Sequence, residues 1–403
     1  MWALLAERNF RWLWLGQLCS QFGDRLTQLV LVALITTRAS GSTLSLAKVL
    51  VWTSLPALLV NPVAGAYVDR WDRKRTMIAC DLLRMAVILA LPWLAGWRLQ
   101  IPFYAAIFVI FSVAGFFVPA RLAMIPDVVP PDRLAQANAI FTSSGMIGST
   151  LILLVGALLV EWFGADRSAL VNAASYAASA AFIVPIVRKT RRGGADGPST
   201  RLIVVEVWEG IRQLWSHGDT RRIVGLLGLL MAGAGATLVL GTILVQRSLH
   251  TVTKDIGFLS LWLGLGMLAG SLAYGRWATR WLKRRVLGLA FLGTGLVLGL
   301  FVAAVGFLQS RWAASFSAGC LGFFLAPVGI VTNTLVHEAH PETLHGRIFS
   351  SLGIVVNSAF ILSMLTAGWL GERSSESALL AGIGGLFAAG GLTLLYYRRG
   401  QRG

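Results

Sequence analysis

Gly65-Ala66-Tyr67-Val68-Asp69-Arg70-Trp71-Asp72-Arg73-Lys74-Arg75 stands between two long apolar segments. An acid closes one apolar run, and Arg70, Arg73, Lys74 and Arg75 follow before the next begins. Such a cluster has no natural place in a soluble core, whereas Lys and Arg collect at the cytoplasmic edge of a bilayer. The segments on either side should therefore be membrane-spanning.

Composition agrees. Of the 403 residues 56% are hydrophobic and 13% charged, where a soluble domain has about a quarter charged. A span needs about 20 mainly apolar residues, and twelve segments qualify, near residues 10–37, 46–68, 77–96, 101–122, 134–163, 169–187, 223–245, 256–274, 286–308, 312–336, 348–370 and 379–397. They are long apolar runs without period-2 alternation, which predicts helices that satisfy their own backbone in lipid, not barrel strands. The expected fold is an all-α integral membrane protein of twelve transmembrane helices in two pseudo-symmetric six-helix bundles. The first bundle takes residues 1–190 and the second 223–403. Between them, residues 191–222 form a polar cytoplasmic linker in which Leu202, Val205, Trp208, Glu209, Ile211, Arg212 and Trp215 give an amphipathic helical pattern.

The formal charge of +17 is topological. With both termini placed inside, most Lys and Arg fall in cytoplasmic segments, and Arg25 and Arg84 are assigned to the interior of helices. Nucleic-acid binding is therefore not expected, while membrane lipids are expected partners. Cys19, Cys80 and Cys320 are odd in number and lie in or beside spans, so no disulfide framework is indicated. There is no G-x-S-x-G, no phosphate-binding G-x-x-x-x-G-K and no H-E-x-x-H. Neither an enzyme nor a cofactor is expected, and His337, Glu338 and His340 do not make a metal site.

The opening stretch resembles the signature loop between the second and third helices of the major facilitator superfamily, which reads roughly G-x-x-x-D-R-x-x-R-K-R. Gly65, Asp69, Arg70, Arg73, Lys74 and Arg75 match it. The resemblance implies a charge relay that latches the two bundles on the cytoplasmic side. Arg8-Asn9-Phe10-Arg11, Gly16-Gln17, Phe22-Gly23-Asp24, Val118-Pro119-Ala120 and Leu134-Ala135-Gln136-Ala137-Asn138 are similar to the branch of bacterial macrolide-efflux and enterobactin-exporter proteins. That branch implies export of an amphipathic small molecule from the cytoplasm, driven by protons. A monomer in the bacterial inner membrane with both termini cytoplasmic is expected. One departure is that span five carries Gly145, Gly148 and Gly156 without the Gly-Pro pair frequent in drug antiporters.

The sharpest functional signal is in the first span. Gln17, Gln21, Asp24 and Gln28 recur at helical spacing and share one stripe, with Ser20 at its border. Asp24 lies about 14 residues into the span, near mid-membrane, where a charge costs about 2.5–3.5 kcal/mol on insertion scales. Three readings stay open: a protonatable coupling residue, an anchor for a polar or cationic substrate group, or an ion pair with Arg25 or Arg84. Arg25 is the poorer partner, because adjacent helical residues point about 100° apart. Ser112, Asn333 and Asn357 are the other polar cavity candidates, with Phe111, Phe116, Phe117, Phe323 and Phe324 nearby. Aromatics with a few hydrogen-bonding groups suit an amphipathic molecule. Asp81, Arg84, Arg121, Asp127, Glu338 and Arg347 read as parts of the inner gate together with the signature loop. Two further functions are compatible with the chain: a lysophospholipid flippase of the same fold, and a non-transporting membrane sensor or assembly factor.

Overall fold

The computed structural model of the protein describes residues 2–38, 42–68, 70–97, 100–187, 218–277, 282–339 and 345–396, with Arg212 and Trp215 besides. These residues are helical or in short turns, with no strand among them. In chain order the helices are α1 (Trp2–Ala6), α2 (Arg8–Arg38), α3 (Thr43–Leu59), α4 (Asn61–Val68), α5 (Arg73–Leu94), α6 (Ile101–Val128), α7 (Leu134–Ile183), α8 (Gly218–Leu249), α9 (Lys254–Trp277), α10 (Lys283–Val302), α11 (Arg311–Ala339), α12 (His345–Gly371) and α13 (Glu376–Tyr396). Ten helical segments among the described residues are long and apolar enough to cross a membrane.

Two places depart from one helix per predicted span, each for a local reason. The second span is divided at Val60, because Pro62 has no N–H to give and its ring clashes with the carbonyl four residues back. Val60 still donates to the Pro56 carbonyl at 2.8 Å, and a new helix restarts with Ala64 bonded to the Val60 carbonyl at 2.9 Å. The fifth and sixth spans form one assignment, α7, of 50 residues. At 1.5 Å per residue that is about 75 Å, far more than about 30 Å of hydrocarbon needs. The chain changes direction at Gly164, whose φ of 76° and ψ of 169° only glycine adopts at ease. Residues 134–163 and 165–183 are accordingly two arms.

The chain divides into two compact units, one of Met1–Gly41 with Val49–Glu206 and the other of Ser42–Lys48 with Val207–Gly403. The start of α3 thus groups with the second unit. In the first, α2 packs along α7, and α5 packs against α6 and α7. Phe10, Leu13, Met77, Met124, Phe141 and Ile183 close the core at the ends of these helices. In the second, α9 pairs with α11, α10 with α13 and α8 with α12. Trp93, Trp162, Trp312, Phe316 and many leucines stay exposed, as an apolar exterior suited to lipid requires. The amphipathic pattern in the predicted linker lies outside the described residues except for Arg212 and Trp215, both exposed.

Candidate functional site

The stripe of α2 carrying Asp24 has a neighbouring stripe of small residues, Gly16, Ser20, Gly23 and Thr27, and the second arm of α7 lies against it. A Cβ on Gly23 would come within 2.7 Å of the Tyr176 ring, so glycine is what lets the two helices approach. That approach aims three α7 side chains at α2. Ser179 Oγ is 2.8 Å from the Gly16 carbonyl. Tyr176 donates its hydroxyl to Asp24 Oδ1 at 3.0 Å. Asn172 Nδ2 donates to Thr27 Oγ1 at 2.8 Å.

Helix α5 completes the cluster. Asp72 caps its start by accepting from the Arg75 N–H at 2.8 Å, so the helix begins at Arg73. Asp81 and Arg84 therefore stand about 12 and 16 Å along it, level with Asp24 and not in the first turn. Arg84 Nη1 donates to Asp24 Oδ1 at 2.6 Å, and Nη2 donates to Asp81 Oδ1 at 2.5 Å and Ser20 Oγ at 2.9 Å. The guanidinium sits between two rings, 4.6 Å from the Phe117 centroid and 4.7 Å from that of Tyr176. Arg84 and Asp81 side chains are fully buried, while that of Asp24 keeps 35% of its exposure. Two carboxylates and one guanidinium are thus held in a hydrogen-bonded network with only Asp24 open to an accessible space.

Among the readings left open for Asp24, the structure makes the contact with Arg84. It also brings Asp81 and Arg84, read in the sequence as gate residues, into the Asp24 network. Gln17 is buried, and its Nε2 donates to the Phe141 carbonyl at 3.4 Å. Gln21 Nε2 reaches the Gly145 carbonyl at 3.4 Å, so both amides lie along the first arm of α7. Gln28 accepts from Arg25 at 3.4 Å. Ser112 Oγ is buried, and Asn357 is exposed and bonded to the Gly353 carbonyl of its own helix. Tyr176, Ser179, Asn172 and Thr27 are members of the network that sequence reasoning missed. The signal for the α7 members is their spacing: Asn172, Tyr176 and Ser179 stand at i, i+4 and i+7 in an otherwise Ala-rich span.

The signature-loop residues form a separate group. Arg73 Nη1 donates to Asp127 Oδ2 at 3.0 Å and the Ala123 carbonyl at 2.8 Å, tying the start of α5 to the end of α6. Lys74 Nζ donates to the Ile186 carbonyl at 3.0 Å. Arg121 lies over the Phe141 ring at 5.8 Å, and Arg70 and Arg75 are exposed. Gly65 is half-buried with open space where a Cβ would stand. In the second unit Glu338 pairs with Lys283. Asp69 and His340 lie outside the described residues, as do the side chains of Asn333, His337 and Arg347.

The second unit holds an apolar cavity of about 240 Å³, bordered by Gly233, Thr237, Leu263, Thr294, Phe301 and Phe387 among others.

Comparison with known proteins agrees with this architecture. The chain is 24% identical over 352 residues to the multidrug efflux pump Tap of Mycolicibacterium fortuitum, covering 84% of this chain and 83% of that protein. It is 25% identical over 383 residues to macrolide efflux protein A of Streptococcus pyogenes, covering 91% and 90% respectively. The solved structure of a mutant of the nucleoside transporter NupG superimposes with a TM-score of 0.79 at 12% identity, over 96% of this chain and 99% of that one. A bacterial homologue of the iron transporter ferroportin gives 0.76 at 14% identity, over 96% and 99%. The sequence model of the Major Facilitator Superfamily matches residues 13–243 and again 225–403, and the chain belongs to that superfamily.

Proposed function

We propose that the protein is a secondary exporter of an amphipathic small molecule, of the drug or macrolide kind, working by alternating access and coupled to protons. The observation that carries this reading is the Asp24–Arg84–Asp81 network. A charge near mid-membrane is costly unless it is paired or meets water, and Asp24 is paired on one side and accessible on the other. Its accessible side, on the stripe with Gln21 and Gln28, then belongs to an aqueous pathway. The efflux proteins to which the chain is similar support the direction of movement and the class of cargo. By the same reading the protein is a monomer in the bacterial inner membrane with both termini cytoplasmic, and Arg73 and Asp127 belong to its cytoplasmic gate with Asp69, Glu338 and Arg347.

The test is accumulation of macrolides, catechol siderophores and lysophospholipids in an efflux-deficient bacterium expressing the wild type or Asp24→Asn, with and without a protonophore. The expected outcome is that at least one macrolide or siderophore is depleted by the wild type, and that depletion is lost with Asp24→Asn and with protonophore. Movement of lysophospholipids alone would favour a flippase, and no response from any compound would remove the transport reading.

A further inference from the structure

We propose that Asp81 holds a proton in the Asp24–Arg84–Asp81 network, on Oδ2 and directed at Ser179, so that the charged pair is Asp24 with Arg84. The use of that proton in coupling rests on the exporter reading; its position does not.

The count of donors requires this proton. Ser179 Oγ stands 2.8 Å from the Gly16 carbonyl and 2.6 Å from Asp81 Oδ2, and a hydroxyl has one proton to donate. Were Asp81 ionised, one of these contacts would set oxygen against oxygen without a hydrogen between, inside a fully buried cluster. With the proton on Oδ2, the Asp81 O–H donates to Ser179 and Ser179 donates to Gly16. The contacts around Arg84 and Ser20 are then satisfied as well. Arg84 Nη2 donates to Asp81 Oδ1 and to Ser20, and Ser20 donates to the same Oδ1 at 3.2 Å.

The same count places no proton on Asp24. Thr27 donates to the Gly23 carbonyl at 2.9 Å and accepts from Asn172, which leaves the Tyr176 hydroxyl, 3.1 Å from Thr27, free to donate to Asp24 beside Arg84 Nη1. Charge points the same way. The ionisable groups in reach are Arg84 and Cys80 on α5, Asp24 and Cys19 on α2, Tyr176 on α7, and Arg121 of α6 toward Asp24. The fully buried guanidinium of Arg84 offsets one carboxylate, and a second carboxylate in the buried Asp81 position would be an uncompensated charge.

The experiment is infrared spectroscopy of the purified full-length protein in lipid nanodiscs near neutral pH, reading the carbonyl stretch of a protonated carboxyl. Either Asp81→Asn or Asp24→Asn leaves one acid for Arg84, so the same band component should vanish in both. Its place is read from the neighbours: Ser179→Ala should shift the band and Tyr176→Phe should leave it. Thermal unfolding gives an independent order. The amide introduced by Asp81→Asn can donate to Ser179 and accept from Arg84, so this variant should melt with the wild type. Asp24→Asn, which forces Asp81 to ionise against Ser179, should melt lower. Absence of the band in the wild type, its survival in Asp81→Asn, a shift with Tyr176→Phe in place of Ser179→Ala, or the reverse melting order would overturn the proposal. Transport is scored separately: loss of cargo movement with the band intact would count against the exporter reading alone.

Discussion

A methyl group at position 23 would sit 2.7 Å from Cε1 of Tyr176 and 2.8 Å from Ser175 Oγ. Helix α2 can therefore lie against the second arm of α7 only if residue 23 has no side chain, and the Tyr176 hydroxyl reaches Asp24 only if α2 lies there. Gly23→Ala should destabilise the protein by roughly 1–3 kcal/mol, as overpacking does in a close-packed interior. It should also withdraw the hydroxyl from Asp24. The melting temperature in detergent measures the first, and tyrosine ultraviolet absorption of the variant against Tyr176→Phe the second. At this scale the sequence is half legible. Asp24, its polar stripe and Arg84 as a partner could be read from spacing and from the cost of a charge in lipid. The α7 contribution could not, because Ser and Tyr in an Ala-rich helix look the same whether they face lipid, a packed neighbour or a carboxylate. Asp81 was displaced to the gate for a simpler reason: with the span taken to start at residue 77 it falls in the first turn, whereas the Asp72 cap starts the helix at Arg73.

Among the elements, the start of α3 depends on carboxylates from elsewhere in the chain. Ser42 caps its own helix by accepting from the Ser45 N–H at 3.1 Å, and donates its hydroxyl to Glu372 at 2.6 Å. The Leu44 N–H donates to the same Glu372 oxygen at 3.0 Å, and Glu376 pairs with Arg247. The Ser42 hydroxyl and then the Leu44 amide hold the Glu372 carboxyl below its usual range. A depressed carboxylate stabilises the folded form above its unfolded pKa, about 4.3, and that contribution is lost as pH falls through the folded value. Backbone amides of residues 43–48 should therefore exchange faster with solvent below about pH 4.3 than at neutral pH, after correction for intrinsic rates. Glu372→Gln should exchange fast at both. Equal protection in the wild type across this range would show that the carboxylate does not hold the helix start. The helices themselves were legible from apolar length. Their interruptions were less so: Pro62 gives notice of the break at Val60, but no residue type distinguishes Gly164 as a reversal from the packing glycines around it.

For the whole molecule, the two units are held by different means. The first is organised by a buried polar network, the second by glycine seams. A Cβ on Gly266 would overlap the Gly319 carbonyl, one on Gly270 the Phe323 carbonyl, and one on Gly322 the Leu263 carbonyl, so α9 and α11 run with their backbones in contact. Gly295 against Gly384, and Gly391 against Leu292, do the same for α10 and α13. Gly266→Ala, Gly270→Ala and Gly322→Ala should each cost roughly 1–3 kcal/mol, read as a lowered unfolding midpoint. Gly225→Ala and Gly299→Ala, where the added methyl meets nothing within 4 Å, should be neutral or slightly stabilising, since Ala is the better helix former. The abundance of glycine was visible in the sequence, but which glycines touch a neighbour depends on helix rotation, which composition does not carry. The seams also bear on inheritance. Glycine is the smallest residue, so every missense change at a seam codon adds atoms between two backbones: drift can widen the second bundle from many directions and tighten it from none. Spontaneous loss-of-function alleles should accordingly gather at glycine codons in the second half of the gene, and at codons for charged residues in the first.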